Sequence, residues 1–147
     1  MSWITILWSM NAAVCLTLGG MYLLVWCKQR EGWVYFIFLC SAMAAAVIAG
    51  FELASMRAET TEQYGAILRW AHVPVWVLIV SLVWFVRLYL RAGRLWLAWS
   101  VCGLRTLALV LNFIFTPNLN YREITSLRHL SWWAGEIVSV PIGVTNP

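Results

Sequence analysis

Apolar positions fall into four long runs broken by short polar stretches, at about 4–26, 33–53, 70–90 and 95–115. A bilayer core about 30 Å thick needs roughly 20 apolar residues as a helix, and each run qualifies. The pattern therefore predicts an all-α integral membrane protein, with four transmembrane helices in residues 1–115. Residues 116–147, "TPNLNYREITSLRHLSWWAGEIVSVPIGVTNP", mix turn formers with charges and hold no run of that length. They are expected to form an extracytoplasmic C-terminal loop or tail. Within them "EIVSVPIG" alternates weakly, as a short strand or extended piece would. Trp132 and Trp133 are candidate interfacial anchors.

The breaks and small residues refine this outline. "AETTEQYGAIL" contains a helix start, in which Thr60 can cap and Gln63, three residues on, can reach back. The third helix is therefore expected to begin before the membrane and to include Arg69. Pro74 lies inside it and withholds a donor from the carbonyl of Trp70, so a kink is expected. In the second run Ala42, Ala46 and Gly50 repeat every four residues, and Ser41, Ala45 and Ala49 repeat beside them. Such a face lets another backbone approach closely.

Composition agrees with the pattern. The chain is 63% hydrophobic and 11% charged, against about 25% charged in a soluble domain. Trp3, Trp8, Trp26, Trp33, Trp70, Trp96 and Trp99 lie near predicted helix ends, as an aromatic belt would. The net charge of +4 is modest and its basic residues flank apolar runs, so they read as topology signals and not as a nucleic-acid surface. The first run lacks a basic leader and is too long for a typical signal peptide. Lys28 and Arg30 crowd one short connection, and Arg87, Arg91 and Arg94 the other. Arg57, Arg69, Arg122 and Arg128 are spread over longer segments on the opposite side. The positive-inside rule then places both termini outside a bacterial inner membrane. Cys15, Cys27, Cys40 and Cys102 form no CxxC pair and read as small hydrophobes, with neither a disulfide framework nor a metal site.

Polar residues inside apolar runs are costly, so each is a functional candidate. At 1.5 Å per residue Glu52 lies roughly 28 Å along its helix, at the outer end, and Asn11 roughly 10 Å inward from Ile4. His72 and Asn112 also fall in the outer half. Arg105 lies roughly 15 Å along the fourth helix and roughly 13 Å below Glu52. A guanidinium cannot lose its proton, so at that depth it needs carbonyls, an acid or water. Glu52 and His72 read either as wetted interfacial groups or as members of an outer pocket. Asn11 and Asn112 are candidate helix-to-helix ties, with Asn11 grouped with the small residues in helix packing. Ligand-pocket candidates are Glu52, His72, Arg105 and Asn112, with Tyr121, Arg122 and His129 as lid residues on the tail. No hydrolase, kinase or phosphate-loop motif is present, so no enzyme is expected of this chain, and no cofactor or metal is predicted. Only two histidines, His72 and His129, are available to an alternative bis-histidine haem or electron-transfer site. A further alternative is a structural partner subunit docking through its alanine face. The expected partners are the lipid bilayer and another helix surface, of itself or of another membrane protein.

Four phrases carry a resemblance: "LLVWCKQREGWVYFIF", "LRWAHVPVWVLI", "FVRLYLRAGRLWLAWSVCGLRTLALVLNF" and "PNLNYREITSLRH". They are similar to the N-terminal membrane region found ahead of PAS and histidine-kinase domains in proteobacterial sensor proteins. That region resembles a seven-helix input module, whose next span follows a phrase like "NPW". The resemblance implies a membrane sensor region whose first four spans lie in this chain, with further spans and an effector kinase outside it. The expected function is signal input to a two-component pathway.

Overall fold

The computed structural model describes residues 3–29, 32–115, 121–132 and 136–145. Four helices form the body: α1 (Trp3–Lys28), α2 (Trp33–Met56), α3 (Thr61–Tyr89) and α4 (Leu95–Ile114). Each is long and apolar enough to cross a membrane, which marks a multi-pass membrane protein. The hydrophobic runs located them to within a few residues. The exception is the start of α3, which lies nine residues before its apolar run, where the Thr60–Gln63 pattern put it. Thr60 Oγ1 accepts from the Gln63 N–H at 3.2 Å, and Gln63 Oε1 accepts from the Glu59 N–H at 3.3 Å. Two donors at the open end of α3 are thereby satisfied. Pro74 sits buried inside α3, which continues through it.

Packing runs in sequence: α1 on α2, α2 on α3, and α4 chiefly on α3. Small residues make the first of these contacts close. A β-carbon added to Gly19 of α1 would stand 3.7 Å from that of Ala42 and 3.4 Å from Leu39 Cδ1. Ser41, Ala42, Ala44, Ala46 and Ala49 are buried along α2. Gly50 departs from the expected packing face: it is exposed, and a β-carbon there would meet nothing within 4 Å. Three-to-four spacing fixes a stripe, but the neighbour's crossing decides how far along the stripe contact continues. Among the described residues the hydrogen bond of Asn11 stays within its own helix. Asn11 is exposed, and its Oδ1 accepts from the Cys15 thiol one turn on, at 3.8 Å.

The α3–α4 turn at one end of the molecule is tight. Gly93 has φ 83° and Arg91 φ 50°, and Arg87 Nη1 donates to the Gly93 carbonyl at 2.6 Å. With the α1–α2 connection it forms what is called here the loop end.

The tail differs from the expected loop. Tyr121–Trp132 (β1) and Glu136–Thr145 (β2) pair antiparallel as a β-hairpin, so the all-α reading holds for the spans and not for the tail. The sequence pattern marks only "EIVSVPIG", part of β2, as extended. β1 carries charges and a broken alternation, and its register shifts twice, between Tyr121 and Glu123 and between Ile124 and Ser126. Such a strand is specified by its partner and by packing more than by its own pattern. A lone two-stranded ribbon is marginal in water, and this one leans on α2 and α3. Ser139 Oγ donates to the Ala58 carbonyl at 2.8 Å, and Ala58, in the α2–α3 connection, is 1% exposed. Arg57 Nη2 donates to Thr5 Oγ1 at 3.0 Å, joining the start of α1 to the same region. This is the hairpin end.

Candidate functional site

Polar chemistry concentrates at the hairpin end, where α3 begins and α4 finishes. Asn112, in the last turn of α4, is fully buried at 0% exposure. Its Nδ2 donates to the Arg69 carbonyl at 2.9 Å. The Arg69 side chain returns the contact, with Nη2 donating to the Phe113 carbonyl. That carbonyl belongs to the last turn of α4, whose acceptors have no partner within the helix. A fixed cation there also suits the negative end of the helix dipole. The Arg69 guanidinium carbon lies 5.2 Å from the centre of the Phe113 ring, and Trp70 meets the same ring edge-on at 5.5 Å. Two helices are thus latched reciprocally, each donating a side chain to the other's backbone. Arg69 Nε is enclosed and has no hydrogen-bond partner.

Beside the latch a cleft of about 390 Å³ opens between α3 and β1, lined by Glu62, Gly65, Arg69, Trp70 and Ile124. Glu62 and Arg69 are seven residues apart, two turns along one face of α3. The cleft therefore presents a carboxylate, a guanidinium and an aromatic ring to one occupant. Its volume falls at the low end for small-molecule sites.

The sequence candidates divide around this site. Asn112 belongs to the latch beside the cleft; fully buried, it does not line the cleft itself. Tyr121 opens β1 and lies within electrostatic reach of Tyr64, as does Glu52, which is exposed on α2. His72 is half-buried, and its Nδ1 donates to the Leu68 carbonyl in its own helix at 2.9 Å. Arg122 and His129 lie on β1, and their side chains are outside the described residues. Arg105 is separate from the site, roughly 10 Å along α4 from Asn112. Among the described residues no group of three or more His, Cys, Asp or Glu side chains gathers to hold a metal.

No family model, curated protein or solved structure matches the chain.

Arg69 is the residue that sequence reasoning missed. The sequence pattern marks it only as a topology charge within the third helix. The depth arithmetic that put Asn112 near one membrane surface also puts the start of the third apolar run there, so Arg69 and Asn112 share a level. Ser139 and Ala58 carried no such signal, because their contact joins positions 81 residues apart.

The remaining contacts on α3 continue the seam towards the loop end. Trp76 Nε1 donates to Thr106 Oγ1 at 2.9 Å, and Thr106 Oγ1 donates to the Cys102 carbonyl at 2.7 Å. Trp84 and Trp99 then meet edge-on at 5.6 Å. These contacts join α3 and α4 at two further levels between the latch and the loop end.

Proposed function

We propose that this chain is a membrane signal-input module: the hairpin end receives a stimulus, and the α3–α4 seam conveys it across the bilayer. The observation that carries the reading is the reciprocal Arg69–Asn112–Phe113 latch beside a cleft that the hairpin borders at Ile124. An occupant of that cleft contacts the helix that holds the latch and the strand that borders it. It can favour one of two packings of α3 against α4, which is all that signalling across a membrane requires. The similarity of the sequence to membrane regions of sensor proteins supports the same reading. In the proposed orientation Lys28, Arg87, Arg91 and Arg94 face the cytoplasm of a bacterial inner membrane and the hairpin faces outward.

Orientation is tested with a tag fused after Pro147. It is expected to react with an impermeant reagent in intact cells. Protection until lysis would reverse the assignment and place the cleft in the cytoplasm.

Coupling is tested with two spin labels at the loop end. One is on the native, exposed Cys27 and one on Ala92→Cys, with Cys15, Cys40 and Cys102 replaced by alanine. Unlatching by Arg69→Leu combined with Asn112→Leu is expected to displace the modal distance by about 2 Å or more, the scale of helix shifts in switching proteins. Superimposable distributions would remove the seam as a conductor.

A further inference from the structure

Arg105 poses a separate problem. It lies roughly 15 Å from the start of α4, at mid-depth in the bilayer. Its side chain is half-buried, and its Nε is enclosed without a hydrogen-bond partner. Among the described residues it forms no hydrogen bond or ion pair. A guanidinium keeps its charge at any physiological pH and carries five donors. Cationic side chains inside membranes face protein or water and pair with acids or carbonyls. Snorkelling does not remove the difficulty, because an extended arginine side chain reaches roughly 7 Å, about half the distance to either surface.

The chain offers no acid at this depth. Between Trp70 and Val86 the neighbouring helix α3 carries only His72 and Ser81 as non-aromatic polar side chains, and Ser81 donates to the Val77 carbonyl of its own helix. None of the six acidic residues lies in the middle of a spanning helix. A second copy would present Glu52, which stands roughly 13 Å nearer the hairpin end. Meanwhile the α4 edge that carries Arg105 is only partly covered. Val101, one turn before it, is 42% exposed, Ala108, one turn after it, is half-buried, and α4 packs chiefly on α3.

We infer that the Val101–Arg105–Ala108 edge of α4 docks a further transmembrane helix bearing an aspartate or glutamate at mid-depth. The carboxylate supplies the acceptor that Arg105 lacks, and the apolar residues on either side supply the packing. A charge pair specifies partner and register more than raw affinity, because only one depth brings the two groups together. This holds whether or not the hairpin end binds a ligand.

The test uses the full chain co-expressed with tagged leucine-rich spanning helices that carry one central glutamate, glutamine or leucine. The glutamate helix is expected to co-purify at least roughly tenfold more than the leucine helix, a difference of about one decade in affinity. Moving the glutamate by two turns toward either end should abolish the excess. Arg105→Leu should abolish it too, while Arg105→Lys keeps part of it. Arg105→Glu should transfer the preference to a probe with a central lysine, which separates pairing from any folding defect. Equal capture of the three probes would overturn the inference. So would a glutamate preference that survives Arg105→Leu, or Arg105-dependent self-association of the chain that excludes the probe.

Discussion

Asn112→Leu is expected to loosen the hairpin-end junction of α3 and α4 by about 1–2 kcal/mol, the upper range for a polar tie between membrane helices. The substitution is nearly equal in size, so the loss reads out hydrogen bonding and not a cavity. Asn112 donates to the Arg69 carbonyl from a site with no exposure, and leucine leaves that acceptor only its own helix. The cost is measurable as a lower midpoint of SDS-induced unfolding in mixed micelles. Arg69→Leu removes the reciprocal half, the contact to the Phe113 carbonyl. Because the two halves share Arg69, the double variant should lose less than the sum of the singles, with a coupling of at least about 0.5 kcal/mol. Strict additivity would mean that the two bonds act independently, and the latch would cease to be one unit.

Ala49→Leu is expected to be the most damaging single change in the helical body. Ala49 has 0% exposure in a helix that packs on α1 and on α3. Three extra carbons have no room, and overpacking of this kind costs about 1–3 kcal/mol. Gly50→Leu, at the next residue, supplies the control: a β-carbon there meets nothing within 4 Å, so its side chain enters lipid. A wide gap between the two midpoints is the expected result. Equal midpoints would show that α2 is not clamped where Ala49 sits.

The spans were legible because their information is local: length, hydropathy and a capping pattern are all read within one helix. The Thr60–Gln63 start of α3 was found this way. The small residues of α2 gave the right stripe but not its extent, and Gly50 fell outside the contact because the approach of α1 at Gly19 is not encoded in α2. The hairpin was hidden for a related reason. β1 has no clean alternation and takes its strand state from β2, which is itself anchored on Ala58, far away in the chain. At the site, Asn112 stood out as a polar residue in an apolar run. Arg69 did not, because an arginine at a membrane surface has an ordinary explanation, and its reach to Phe113 is visible only once the two helices are side by side. Arg105 was conspicuous from the outset, and folding the chain left it without an acceptor.

The neighbour-to-neighbour order of the helices bears on how the molecule is made. Each helix finds its main surface on the one synthesised just before it, so association can keep pace with the ribosome and needs no later reshuffling. The ribbon is the exception. Its anchor on Ala58 reaches back past two complete helices, so its docking waits until all four helices have been made, and the cleft comes into being only then.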